Sequence, residues 1–263
     1  MGNAAASDTA LLKIEQTGAV LTVGLNRPAK RNALNDGIIL ALQDCFSAIP
    51  DGVGAVVIHG IGDHFSSGLD LSELTERDAT EGLVHSQMWH RVFDRIQYCR
   101  VPVVAALKGA VIGGGLELAC AAHIRVAEPS AYFALPEGQR GIFVGGGGSV
   151  RLPRLIGVPR MADMMLTGRV YSATEGAAYG FSQYLTADGG ALSKALELAE
   201  RVAANAPLTN FAVLQALPMI AEANPQTGLL MESLMATVAQ SDKEAKKRIR
   251  EFLDRKTAKV KPT

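Results

Sequence analysis

Two short, unbroken apolar runs most restrict the folds open to this chain, residues 54–60 (GAVVIHG) and 101–107 (VPVVAAL). Both are rich in valine and too short for a buried helix, so each predicts a buried strand. The second leads into Val111-Ile112-Gly113-Gly114-Gly115-Leu116-Glu117, where three glycines precede a predicted helix over about 114–122. The chain must therefore turn sharply from strand to helix and carry a glutamate into an apolar segment.

Around these runs the pattern repeats. Residues 11–15 and 20–25 flank Gly18 and read as a hairpin. Residues 36–49 have helical spacing through Ile38, Leu42 and Phe46, with Ile39 and Leu40 beside them. A helix is expected over 81–97, with Leu83, Trp89 and Phe93 among its apolar residues, and short strands over 124–127 and 132–134. Residues 145–154, 159–166 and 173–179 read as helical, and from Ala191 onward nearly everything does. Ser241-Asp242-Lys243-Glu244 reads as a capping box. The helix it opens would bury Ala245, Ile249, Phe252 and Leu253 on one face. The chain thus divides into a disordered start (1–10), strand–strand–helix units (11–200) and a helical module (201–263). No repeat is strong enough to indicate a solenoid.

The 263 residues can bury a substantial core, and 26 basic side chains balance 26 acidic ones. Zero net charge argues against a polyanion-binding protein. Cys45, Cys99 and Cys120 are widely spaced with no CxxC pair, which fits buried free thiols in a reducing, cytoplasmic setting. No apolar run reaches the ~18–20 residues of a membrane span. The first residues lack a signal peptide's basic and apolar regions, and Ala6 stands where a myristoylation site prefers Ser or Thr.

Chemistry concentrates in three segments. Gly113-Gly114-Gly115 opens a helix, whose first N–H groups are unpaired at the positive end of the dipole. A tight turn and a cradle for a developing oxyanion both satisfy that pattern. The run is neither a phosphate loop with a following Lys-Ser/Thr nor a G-x-G-x-x-G site. Gly145-Gly146-Gly147-Gly148 carries the same two readings, a close-packed helix start or the placement of a ligand or water. Glu117 lies between Leu116 and Leu118, so it is paired in a salt bridge or functional. Asp70, in His64-Phe65-Ser66-Ser67-Gly68-Leu69-Asp70, could cap or orient its loop. A second glutamate, Glu137, follows Pro136. Two carboxylates can divide acid and base roles, and free N–H groups can hold a carbonyl oxygen that turns negative. The five histidines form no i,i+4 metal pair, and no G-x-S-x-G elbow surrounds Ser66 or Ser67.

Together these segments resemble the crotonase superfamily of enoyl-CoA hydratases and isomerases over nearly the whole chain. Leu25-Asn26-Arg27-Pro28-Ala29-Lys30-Arg31-Asn32-Ala33-Leu34 is similar to the family's N-R-P-x-x-x-N-A-L signature. Phe65-Ser66-Ser67-Gly68-Leu69-Asp70 resembles its F-x-A/S-G-x-D loop, and Gly113–Ala119 its G-G-G-x-E-L-A segment. Glu137 stands at the second glutamate. The resemblance implies an α/β fold, a spiral of β-β-α units with a C-terminal helical trimerisation module. The N–H groups of Ser67 and Gly114 would form an oxyanion hole, Glu117 and Glu137 would be the catalytic acids and bases, and Gly145 would help place water. Lys30, Ala33, Leu34, Ser66, Gly68, Leu69 and Asp70 would border CoA. Phe252 and Arg255 would reach a CoA from the C-terminal helix, often a neighbour's.

The implied reaction is addition of water across the 2,3 double bond of a 2-enoyl-CoA, as in fatty-acid β-oxidation. CoA would arrive as part of the substrate, with no metal or other cofactor. A homotrimer or a hexamer built as a dimer of trimers is expected, with no nucleic-acid or membrane partner. Both glutamates favour a hydratase over an isomerase, which needs no activated water. Val144 replaces a proline common in hydratases, and Ser149-Val150 replaces Thr-Gln. With Trp89 and Met88, Phe143 and Val144 could therefore shape an acyl pocket for an aromatic or branched chain. The alternatives are 3,2-enoyl-CoA isomerisation, hydroxycinnamoyl-CoA hydration with cleavage, or a non-catalytic homologue that binds CoA thioesters or RNA. The last needs a basic helix after Asn32-Ala33-Leu34, yet no Lys or Arg occurs from Asn32 to Glu76.

Overall fold

The computed structural model describes residues 10–73 and 76–254, with residue 73 described by its backbone alone. The expected disordered start is therefore outside the described residues except for Ala10, and Arg255 and Lys256 are outside them altogether. Strands β1 (Leu12–Thr17) and β2 (Val20–Leu25) form the expected antiparallel hairpin. Helix α1 (Asp36–Ser47) is capped by the Asn35 side chain, which accepts the Ile38 N–H. It leads to β3 (Ala55–Gly60). Helix α2 (Ala79–Gln97) starts two residues before the predicted point because Asp78 forms a capping box with Glu81. Then come β4 (Val103–Leu107), β5 (Ala110–Ile112), α3 (Gly114–Ala121), β6 (Ile124–Ala127) and β7 (Tyr132–Ala134). Helices α4 (Gly148–Ile156) and α5 (Val158–Thr167) precede β8 (Tyr171–Ser172), α6 (Ala173–Tyr179), β9 (Tyr184–Leu185) and α7 (Ala191–Ala203).

The main sheet has the order β1-β2-β3-β4-β6-β9 and is parallel from β2 onward, while β5-β7-β8 form a smaller sheet. The two apolar runs are its central strands β3 and β4. Ala55, Val57 and Val104 pack with Ala195, Leu198 and Ala199 of α7. Val56, Ile58, Val103 and Ala105 belong to the larger core with α1 and α2. Burial on both faces explains why neither run alternates with polar residues. Leu40 and Leu83, expected among the apolar faces of α1 and α2, are exposed instead.

The chain divides after Ala203 into two compact units. The second consists of α8 (Pro207–Phe211), a π-helical stretch, α9 (Leu217–Glu222), α10 (Pro225–Ser241) and α11 (Lys243–Leu253). Two sequence expectations fail here. Asp242, not Ser241, caps α11 by accepting the Glu244 and Ala245 N–H groups, because Ser241 still ends α10 and donates to the Val238 carbonyl. On the predicted apolar face of α11, Ala245 is half-buried, but Ile249, Phe252 and Leu253 are exposed among the described residues. No helix among the described residues is long and apolar enough to cross a membrane.

Candidate active site

The two glutamates emerge from neighbouring parallel strands. Strand β5 pairs with β7, with Ile112 opposite Ala134. Glu117 follows in the first turn of α3, and Glu137 follows just beyond β7. Both are buried, 3% and 8% exposed, so neither is an ordinary surface carboxylate.

Glu117 is held by the second glycine run. Its Oε1 accepts the Gly146 N–H at 2.8 Å and the Gly148 N–H at 2.7 Å. The helix predicted from 145 therefore starts only at Gly148, because the preceding amides turn toward Glu117. A Cβ on Gly148 would lie 2.7 Å from Glu117 Cγ, so this approach needs glycine. Burial raises the Glu117 pKa, while the Gly148 and Gly146 amides and then the Arg151 charge oppose the rise. A structural salt bridge is thus not what holds Glu117; its direct hydrogen-bond partners are backbone amides.

Arg151 acts on this loop through its carbonyl side. Its Nη1 donates to the Gly146 carbonyl at 3.1 Å, Nε to Gln97 Oε1, and Nη2 to Asp94. Buried beneath the glycines, it fastens them to α2. Arg151→Met is expected to lower kcat by about 10- to 10²-fold through misaimed amides, with Arg151→Lys intermediate. Removing the cation raises the Glu117 pKa, so the limb of a pH–rate profile that needs ionised Glu117 moves to higher pH. A loss of stability with an unmoved limb would reduce Arg151 to a packing role.

Glu137 differs from Glu117. Its Oε2 is buried without a hydrogen-bond partner among the described residues. Gly113 has φ +52°, a backbone that favours glycine, and a Cβ there would lie 2.5 Å from Oε1. Burial pushes the Glu137 pKa up to about 7; its own backbone amide opposes the rise, and the Glu117 charge adds to it.

The N–H donors correct the sequence reading. The Ser67 N–H is already donated to the Arg31 carbonyl at 3.0 Å. In the parallel bridge between Leu34 and Leu69, Leu34 donates to Gly68 and Asp70 donates to Leu34. That pattern uses the groups on either side of Leu69 and turns its own N–H to the opposite side. There it meets the start of α3, with Leu69 N 3.6 Å from the position a Gly114 Cβ would take. Gly114 is the first residue of α3, where an N–H has no intrahelical acceptor. Leu69 and Gly114, not Ser67 and Gly114, are therefore the pair of amides suited to one oxygen.

The surrounding cavity has a volume of about 420 Å³. Ser67, Gly68, Leu69, Gly114 and Gly145 line it together with both glutamates. Trp89, Phe143 and Val144 form part of its apolar wall. Lys30, Ala33, Leu34, Ser66 and Asp70 do not line it; they build the loop beneath. Ser66 Oγ donates to the Asn32 carbonyl and accepts the Gly68 N–H. Asp70 binds Ser72 Oγ at 2.6 Å, Arg27 Nη2 at 2.9 Å and Lys30 Nζ at 3.0 Å. These contacts, the Ser72 hydroxyl foremost, hold its carboxyl well below the usual range. Asp70→Asn should lower stability at neutral pH by about 1–2 kcal/mol. The folded pKa is depressed, so the difference from wild type is full above ~pH 4 and disappears as pH falls further. Unfolding titrations at the two ends of that range check it.

Phe252 lies on α11 in the second unit. The sequence reading missed Arg77, His85 and Arg140, which also line the cavity. It also missed Arg151, whose one local signal is a charge between Val150 and Leu152. Burial pushes Cys45 and Cys120 up to about 11 and also raises Cys99, so no thiol is poised as a nucleophile at neutral pH.

The geometry has close relatives. A solved structure provisionally assigned as an enoyl-CoA hydratase from Rhodopseudomonas palustris CGA009 superposes with a TM-score of 0.92 at 82% identity, covering 95% of this chain and 97% of the other. The 2,3-dehydroadipyl-CoA hydratase of Escherichia coli is 33% identical over 94% of this chain and 96% of its own. The short-chain-enoyl-CoA hydratase of Clostridium acetobutylicum is 30% identical over 92% and 94%. The enoyl-CoA hydratase/isomerase family model matches residues 15–262. With the fold, the paired glutamates and this match in agreement, the chain belongs to the enoyl-CoA hydratase/isomerase family.

Proposed function

We propose that the protein hydrates 2-enoyl-CoA thioesters. The observation that carries this reading is the placement of two buried, differently held carboxylates on one cavity with a pair of backbone amides. The thioester carbonyl sits between the Leu69 and Gly114 N–H groups, which stabilise the negative oxygen as the substrate becomes enolate-like. Glu117, fixed by the Gly146 and Gly148 amides, takes a proton from water as its oxygen attacks Cβ. Glu137, with a pKa near neutrality, delivers a proton to Cα. The two acids act as a coupled pair that shares one proton.

Loss of enoyl-thioester absorbance on mixing with crotonyl-CoA, with 3-hydroxybutyryl-CoA as product, is the expected result. No loss by folded protein that binds the thioester would overturn hydration of simple enoyl groups. Gly114→Pro tests the oxyanion pair. Proline fits the first helical position but has no N–H. Gly114→Ala is the control, since both variants press a Cβ toward Trp89 Cζ3 at 2.9 Å. Proline should fall a further 10²–10³-fold in kcat relative to alanine.

Assembly into a trimer, or a dimer of trimers, belongs to the same proposal. Leu229, Leu230, Leu234, Phe252 and Leu253 are exposed on the second unit, an apolar surface suited to burial between copies. Light scattering on the purified protein tests it, and a monomer at micromolar concentration would refute it. A cytoplasmic location and a place in β-oxidation accord with a CoA thioester substrate and three free thiols.

A further inference from the structure

The cavity has more charge than the reaction above uses. Besides the two glutamates, Arg77, His85 and Arg140 line it among the described residues. Arg77 precedes α2, and Arg140 lies on the turn that Glu137 opens. Arg77 lies 3.7 Å from Asp36, and Asp36 is more closely engaged by His85 Nε2 at 2.7 Å. The Arg140 N–H donates to the Glu137 carbonyl at 3.0 Å, but its guanidinium has no hydrogen bond or ion pair among the described residues; its charge tempers Glu137. Leu71, Trp89, Ile142 and Phe143 supply apolar wall beside these groups. An unpaired guanidinium, Arg140, and a second held only at 3.7 Å from its carboxylate, Arg77, beside an apolar wall suit a planar anion supplied by the ligand.

We infer that Arg140 and Arg77 receive a carboxylate at the far end of the acyl chain, so that the preferred substrate is a 2-enoyl-CoA derived from a dicarboxylic acid. The inference rests on the hydratase reading. With the thioester carbonyl on the Leu69 and Gly114 amides and Cα and Cβ between the glutamates, the rest of the acyl chain extends past Glu137. Arg140 is on the turn directly after that residue. The same guanidinium chemistry would also bind the phosphates of CoA, so the test must separate the two anions.

Two six-carbon substrates provide the comparison, 2-hexenoyl-CoA and its analogue with a terminal carboxylate, 2,3-dehydroadipyl-CoA. Hydration of either by the wild-type enzyme supports the underlying reaction. The inference itself is read from the ratio of kcat/KM, carboxylate-tipped over neutral. That ratio should exceed one in the wild type and fall by about 10- to 10²-fold in Arg140→Gln and Arg77→Gln. Arg140→Glu should lower it further. If the variants lose equally on both CoA thioesters and the loss disappears with phosphate-free pantetheine thioesters, the guanidinium groups serve CoA and the inference is overturned. Equal losses on all four substrates, with a shifted pH limb, would assign Arg140 to Glu137 instead and overturn it as well.

Discussion

Glu137→Gln is expected to lower kcat on crotonyl-CoA by about 10²–10⁴-fold and to stabilise the folded protein in mild alkali. Both effects have one cause. Burial without a partner for Oε2 holds the Glu137 pKa at about 7, above its unfolded value. Between ~pH 4.3 and neutrality the folded state keeps a proton that the unfolded state has released, so stability falls as pH rises through that window. The penalty reaches about 3–4 kcal/mol above pH 7. Glutamine keeps the shape and removes the titration. The variant should therefore melt higher than wild type near ~pH 8 and equally near ~pH 4, below both pKa values. Its rate profile should also lack the decline expected of the wild type above about pH 7, where Glu137 loses the proton it must deliver. Equal melting behaviour at both pH values would mean that Glu137 is solvated and not poised as an acid.

Glu117→Gln should be equally severe for hydration and different in every other respect. The glutamine carbonyl can still accept the Gly146 and Gly148 N–H groups, so the loop and fold persist while basicity is lost. Hydration should drop by about 10²–10⁴-fold. Exchange of the Cα hydrogens of butyryl-CoA in heavy water requires only Glu137 and the oxyanion amides. It should survive in Glu117→Gln and be lost in Glu137→Gln, as followed by proton NMR. Unimpaired hydration by Glu117→Gln, or exchange lost in both variants, would contradict the division of labour.

The sequence disclosed what depends on local pattern. An acidic residue inside an apolar helix that begins with three glycines marks Glu117, because burial of a carboxylate demands a reason. The unbroken runs around Val56 and Val104 mark central strands, because neither face can be polar. Direction along the backbone was not legible. Whether Ser67 or Leu69 points its N–H toward Gly114 depends on a bridge with Leu34, thirty-five residues earlier in the chain. Strand β5 is three residues long and has no periodicity to detect. The start of α4 slipped because Gly146 spends its N–H on Glu117, and Gly145 and Gly146 their carbonyls on Ser86 and Arg151, a tertiary demand that no helix propensity contains. At Asp242 two adjacent capping residues competed, and the choice depended on how far α10 continued.

Main-chain groups supply the amides at Leu69, Gly114, Gly146 and Gly148; the first tolerates side-chain replacement, whereas the three glycines admit no Cβ without displacing Trp89, Phe93 or Glu117. The acyl wall is made of side chains with unequal freedom to change. Phe143 is 68% exposed, whereas Trp89 is buried against the start of α3. Inheritance in this scaffold is therefore split: the reaction is carried by backbone shape and two glutamates, and substrate range by replaceable neighbours. A lineage can diversify at Phe143 or Arg140 without rebuilding its chemistry, while drift at Trp89 disturbs the amide that chemistry requires.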